Sequence, residues 1–191
     1  TNIVVLTAGA AQKPGQSRLE LVKINANITK GVCEELKKND FDGLLVVANN
    51  PVDIMTYVAW KTSGLPKNHV IGSGTVLDSA RLRHALSERL GFASSNIHAY
   101  IMGEHGDSSF VPWIHTYIGT KHLLEYLDEN DIELSELQDI YISVRDKAYK
   151  IIELKKATYY GIGLALKRIV SAILNNEKAI LPVSSYQNGE Y

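Results

Sequence analysis

The sequence predicts an α/β fold: the second half of a doubly wound parallel sheet over residues 1–72, then a mixed α+β domain over residues 73–191. Three observations lead there. Short continuous apolar runs, as in Ile3-Val4-Val5-Leu6, read as strands buried on both faces, the habit of parallel sheets. Segments of helical periodicity separate these runs, so strands and helices alternate up to Gly72. From Gly74 onward the alternation gives way to a helix, short strands and long helical stretches, which places the domain boundary near Gly72.

Residues 3–6 form the first strand, and a loop over residues 8–16 carries Gly9, Pro14 and Gly15. Ser17-Arg18-Leu19-Glu20 has the spacing of a capping box, so a helix opens there. Its apolar positions Leu21, Ile24, Ile28, Val32 and Leu36 fall close to a helical repeat. Residues 43–48 make the second buried strand. Asn50-Pro51 suits a helix start, with Asn as N-cap and Pro at the first helical position, and Ser63-Gly64-Leu65-Pro66 ends that helix. Val70-Ile71-Gly72 is a third short strand. A helix over residues 75–90 leads to strands at 97–101 and 111–118, and helical segments run from 134 to 174 with a break at 155–158.

Composition excludes several classes. Hydrophobic residues make up 45% of the 191 and charged ones 21%, the balance of a globular protein. A formal net charge of −1 offers no basic face for nucleic acid. No run of about 18 apolar residues is present, so no membrane span is expected. No signal-peptide pattern opens the chain, and its one cysteine, Cys33, cannot form an internal disulfide, so a reducing, cytoplasmic setting is expected. Thr1 starts inside a strand-like run, and Asn188-Gly189 reads as a hairpin turn with no second strand after it. The expectation is an internal segment of a longer protein, poorly soluble and inactive alone.

The chemistry is concentrated in Met102-Gly103-Glu104-His105-Gly106-Asp107-Ser108. It sets one imidazole, His105, among glycines that permit unusual dihedrals and close approach of a ligand. Imidazole is the group best matched to shuttling a proton near neutral pH. Glu104 and Asp107 add negative charge, which a solvated turn would also carry. Asp78 and Arg81 are three apart on a helix, hence on one face. They read either as a surface ion pair or as an orienting carboxylate beside a guanidinium that grips a substrate acid. Arg83, two residues on, points about 200° around that helix and cannot serve the same site. Ligands of doubly wound sheets bind outside the carboxyl ends of the strands, where Gln12 and Asn50 fall. Arg18 at the loop-to-helix junction is either simply solvated or able to swing in as the loop closes, and Asn50 either caps its helix or faces the site. No metal-ligating pattern is evident.

The blocks Met102 to Ser108, Asp78-Ser79-Ala80-Arg81 and Asn50-Pro51-Val52-Asp53, in this arrangement, resemble those of the bacterial-type L-lactate dehydrogenases of the lactate/malate dehydrogenase superfamily. The resemblance runs over essentially the whole chain. It implies the C-terminal half of a Rossmann-type dinucleotide-binding domain over residues 1–72 and a C-terminally truncated substrate domain over 73–191. It further implies NAD as cofactor and interconversion of pyruvate and L-lactate, with His105 as proton donor and acceptor paired to Asp78. Arg81 would clamp the substrate carboxylate, Arg18 polarise the ketone, Asn50 bond the reacting oxygen and Thr158 line the pocket. NAD would meet Gly9, Ala10, Ala48, Asn49, Asn50 and Ser73. Gln12 stands where the malate enzymes carry arginine, so it discriminates against a second carboxylate. Arg83 and His98 correspond to positions that bind fructose 1,6-bisphosphate across a subunit interface, which implies an allosterically activated homotetramer; read from spacing alone they are two solvated cations.

Departures are Lys156, where many relatives have glycine, and Asn49, where they have a small residue. The family's glycine-rich phosphate loop and acidic ribose-binding residue do not occur in this sequence. The alternatives are a dehydrogenase of malate or of bulkier 2-hydroxy acids, and a non-catalytic module that binds sugar phosphates. The set Arg18, Asn50, Asp78, Arg81 and His105 argues against the last, because a sensor has no need of it.

Overall fold

The structure, a computed structural model, describes residues 1–10, 18–155 and 159–189, with side chains described for 1–10, 19–146 and 159–189. The expected capping serine Ser17, Gln12 and Thr158 lie outside the described residues, as does the side chain of Arg18. Two compact units are present, one of Thr1–Gly74 with Val183–Tyr191 and one of Thr75–Pro182.

The first unit runs β1 (Ile3–Leu6), α1 (Arg18–Lys38), β2 (Leu44–Val47), α2 (Val52–Ser63) and β3 (Val70–Gly72). Its strands lie parallel in the order β1-β2-β3, with Leu6 beside Val47 and Val47 beside Gly72. Strand-helix-strand connections of this kind force parallel pairing. The central strand β2 buries Leu45, Val46 and Val47 completely, as its unbroken apolar run requires. β1 departs from the expectation of a strand buried on both faces. It pairs only with β2 among the described strands, and Val5 is 38% exposed. The core beneath the sheet gathers Leu6, Cys33, Leu45, Met55, Ala59 and Val70. Burial pushes the Cys33 thiol above its ordinary pKa.

α1 meets the core through part of the expected apolar stripe, since Leu21 is buried and Val32 and Leu36 pack against the core, but its most buried row is a different one. Leu21, Asn25, Thr29 and Cys33 are buried at four-residue spacing, while Ile24 is 41% exposed. Two polar residues therefore occupy the inner face, for reasons that belong to the site. α2 starts at Val52 with Pro51 in the N-cap position and no side-chain cap, so Asn50 does not cap it. It ends at Gly64, whose φ of 75° is one an L side chain rarely takes.

The second unit comprises α3 (Val76–Leu90), β4 (Ile97–His98), β5 (Tyr117–Ile118), β6 (Lys121–His122), α4 (Leu123–Glu129), α5 (Leu134–Lys155) and α6 (Tyr160–Leu174). Its small sheet is antiparallel in the order β4-β5-β6. Both strands predicted here are longer than those observed. Pro112 has no N–H to offer a ladder, and a single turn over Trp113–His115 replaces the pairing that residues 111–116 were expected to make. Ala99 and Ile101 stay buried beyond β4 without continuing the sheet. Leu82, Leu86, Ile97, Ile101, Leu123 and Leu137 fill the core. Tyr159 and Tyr160 are 71% and 85% exposed.

The chain leaves the first unit after Gly74 and rejoins it at Val183. On its return, Ser184 and Gly72 exchange two backbone hydrogen bonds of 2.9 and 3.1 Å. The Ser184 hydroxyl donates to Asp53 in the first turn of α2. Asn188 and Gly189 form the expected turn, with φ of 53° and 85°. Gly72 is enclosed there: a Cβ would lie 2.2 Å from Thr56 Oγ1 and 2.9 Å from Ser184 Cβ. Gly72→Ala is therefore expected to lower unfolding stability by about 1–3 kcal/mol, the usual cost of overpacking. A chemical-denaturation midpoint checks this.

Candidate active site

Two short-range constraints build the site of the second unit. α3 carries Asp78 and Arg81 one turn apart, and the chain after β4 carries the turn that contains His105. Ile101, the last buried residue before that turn, is fixed to α3 through its backbone. Its N–H donates to Ser79 Oγ at 2.8 Å, and its C=O accepts from Thr75 Oγ1 at 2.5 Å. Thr75, the N-cap of α3, and Ser79 in its first turn are four apart, so they stack on one face and grip both polar groups of a single residue. Each of the three is 3% exposed or less, so water cannot replace either bond.

Beyond Ile101 the turn is closed by two backbone bonds between Met102 and Phe110, of 2.8 and 2.9 Å. Gly103 takes a φ of 85°, as its place in the turn requires. Gly106 serves differently. Its φ is ordinary, but a Cβ there would lie 3.3 Å from the Glu104 carboxyl carbon. Glu104 in turn accepts from Ser108 Oγ at 2.7 Å.

The result is a direct contact between His105 Nδ1 and Asp78 Oδ2 at 2.6 Å. A carboxylate can only accept, so Nδ1 carries the hydrogen and Nε2 is the nitrogen that takes up or gives a proton. The other Asp78 oxygen, Oδ1, lies 3.6 Å from Arg81 Nη1. Asp78 and Arg81 side chains are each 18% exposed and His105 is 32% exposed. This is a half-buried cluster rather than a surface ion pair: one carboxylate set between an imidazole and a guanidinium. Such a carboxylate stabilises the imidazolium that forms when Nε2 is protonated. Arg83 points elsewhere, with its guanidinium 5.8 Å from the Tyr100 ring centre. His98 is exposed while its neighbour Ile97 is buried, as strand alternation requires.

In the first unit the residues expected to meet a cofactor all lie at the carboxyl ends of the parallel strands. Ala48 N–H donates to Leu6 O at 2.9 Å and Ser73 N–H to Val47 O at 2.8 Å, so both extend the ladder past its assigned ends. Gly9 is exposed beyond β1 and passes so close to β2 that a Cβ would lie 3.0 Å from Asn49 Cβ. Asn49 is buried; its Nδ2 donates to Thr29 Oγ1 at 2.9 Å, and its Oδ1 has no partner among the described residues. Asn50 is exposed. Gly9, with no side chain, and the exposed Asn50 leave backbone and an amide at these strand ends to which a dinucleotide could bond. No three-residue group able to hold a metal occurs among the described residues. None of the described helices is long and apolar enough to cross a membrane.

Sequence reasoning missed Thr75, Ser79, Asn25 and Thr29. Their signal was small polar residues spaced four apart within helices that bury that same face.

A parallel α/β unit of the Rossmann type, with a second unit that carries a carboxylate-supported histidine, defines an α/β protein of the nucleotide-dependent class. The family model for the lactate/malate dehydrogenase NAD binding domain matches residues 1–72, and that for the alpha/beta C-terminal domain matches residues 75–191. The chain belongs to the lactate/malate dehydrogenase family. It is 56% identical over 191 residues to L-lactate dehydrogenase 2 of Enterococcus faecalis and 52% identical to L-lactate dehydrogenase of Lactococcus lactis subsp. cremoris. All of this chain is covered in both cases, but only 60% and 61% of those proteins. Among solved structures it matches the minor L-lactate dehydrogenase from Enterococcus mundtii in the ligands-bound form. That match has a TM-score of 0.95 and 52% identity, and covers 100% of this chain and 61% of that one. The chain thus spans about 60% of the length of the relatives it matches.

The Ile101 attachment has a measurable consequence. Ser79→Ala leaves a buried N–H unpaired and should cost about 1–3 kcal/mol of stability. The turn bearing His105 would then keep one of its two ties to the start of α3. Denaturant unfolding reads the cost.

Proposed function

We propose that this chain is part of an enzyme that interconverts pyruvate and L-lactate with NAD. Residues 1–72 would supply half of its dinucleotide-binding domain and residues 73–191 most of its substrate domain. The observation that carries the reading is the 2.6 Å contact of His105 with Asp78, with Arg81 on the other carboxylate oxygen. Gly9, Ala10, Ala48, Asn49, Asn50 and Ser73 would hold the cofactor, which would supply the hydride chemistry at C2 of the substrate. His105 Nε2 delivers the proton to the carbonyl oxygen in one direction and removes it in the other. Asp78 holds the ring in the tautomer this needs and balances the imidazolium charge. Arg81 binds the substrate carboxylate bidentately. Arg18 stabilises the negative charge developing on the carbonyl oxygen, and Asn50 bonds that oxygen. Thr158 lines the pocket. Gln12, neutral, accepts the methyl group of pyruvate and leaves a second carboxylate, as in oxaloacetate, without a charged partner. The buried lone thiol of Cys33 suits a cytoplasmic setting.

The test is made in the full-length enzyme. His105→Asn should retain NADH binding and lose turnover, since an amide cannot pass the proton. Asp78→Asn should cost less, because it removes orientation and charge balance and leaves the proton carrier in place. Turnover of His105→Asn near the wild-type rate would overturn the assignment.

The reading extends to regulation: a homotetramer in which Arg83 and His98 bind fructose 1,6-bisphosphate. Support comes from Arg83, whose guanidinium lies over the Tyr100 ring, and from His98, which is exposed. An effector of this kind acts only through different affinity for two states. The bisphosphate should speed pyruvate reduction in the wild type and have no effect in the double variant Arg83→Gln, His98→Tyr.

A further inference from the structure

Asn25 is 1% exposed, two turns into α1, on a helix face where an apolar residue would be expected. Its amide is committed in three directions. Oδ1 accepts from Ala10 N–H at 2.7 Å; Nδ2 donates to Ala10 C=O at 3.2 Å and to Asn50 C=O at 2.7 Å. One side chain thus spans the loop after β1 and the loop after β2. Gly9 lies against it, since a Cβ on Gly9 would come within 3.4 Å of Asn25 Oδ1. One turn further along α1, Thr29 Oγ1 accepts from Asn49 Nδ2 at 2.9 Å and donates to Met55 Sδ at 3.6 Å. Asn49 and Asn50 are therefore anchored to successive turns of one helix.

A buried amide carries a large desolvation cost unless its hydrogen bonds are made. Asn25 makes them to backbone that belongs to no regular element, so the helix sets the course of two loops that have no ladder of their own. Holding the Asn50 carbonyl fixes the peptide from which the exposed Asn50 side chain projects.

We propose that Asn25 is a positioning residue for the reaction, aiming Asn50 through its carbonyl and setting the Ala10 loop against the cofactor. This rests on the function proposed above. The full-length enzyme is assayed for pyruvate reduction by NADH as wild type, Asn25→Asp and Asn25→Ser, each also over Asn50→Ala. NADH affinity is measured by fluorescence in each. Asp keeps the shape and the acceptor but sets a carboxylate against two carbonyl oxygens. Ser is the smaller change and is read where Asp fails to fold.

The expected result is a kcat about 10²-fold lower with a lesser change in KM, as for a small misplacement of a reacting group. Over Asn50→Ala, the same substitution should alter kcat by no more than about twofold, because the side chain to be aimed is gone. NADH should bind about tenfold more weakly. A kcat loss that persists undiminished over Asn50→Ala, or no loss at all, overturns the proposal and leaves Asn25 a packing residue. If the wild type binds NADH but leaves pyruvate unreduced, the functional reading fails instead. The positioning role is then decided by NADH affinity, which weakens if it is right and stays equal if it is wrong.

Discussion

The second unit depends on how one peptide is held. Ile101 is the last buried residue before the turn that bears His105, and both its backbone groups bond to side chains of α3. The same helix carries Asp78, the partner of that histidine. The carboxylate and the imidazole come from segments far apart in sequence, so their separation could drift without a local tie. Thr75 and Ser79 provide it, on the side of α3 that faces the core. The core below, through Leu82, Leu86 and Ile97, keeps water from competing for those bonds.

The first unit meets a similar demand with different residues. Its parallel strands end in loops, and loops outside the carboxyl ends of strands have no ladder to fix them. Asn25 and Thr29 take that part by placing polar groups on the inner face of α1. In both units a helix that packs against the core by apolar contact also holds backbone by hydrogen bonds. Hydrophobic burial decides where the helix lies; the hydrogen bonds decide where the adjacent loop goes.

This division explains what could be read in the sequence. β1, α1, α2, β3 and α3 were legible because each is an apolar run or periodic stretch bounded by glycine or proline. His105, Asp78 and Arg81 were legible from their motifs, although spacing alone favoured an ion pair of Asp78 and Arg81 on the surface. The small antiparallel strands were not: two-residue strands carry no periodicity, and Pro112 interrupts the longer run that resembled one. β6 and α4 went unrecognised altogether. Asn50 looked like a helix cap because residue type and position agreed, but Pro51 takes that position and the Asn50 carbonyl is turned to Asn25. The inner row of α1 was missed since a hydrophobic stripe is sought among apolar residues, and half of this row is polar.

Gly72 and Ser184 have a bearing on how the polypeptide comes to be made. The ribosome delivers the chain from its N-terminal end, and domains tend to fold as units when they emerge. Here the first unit is one residue range interrupted by another, and the segment that bonds Gly72 is synthesised only after all of Thr75–Pro182. The nascent sheet must therefore wait with the Gly72 backbone pair unmade and Asp53 without its serine. A protease nick within Thr75–Pro182 would leave the two parts of the first unit held by non-covalent contacts alone, among them those of Ser184 with Gly72 and Asp53, of Asn188 with Lys67 and of Tyr186 with Trp60.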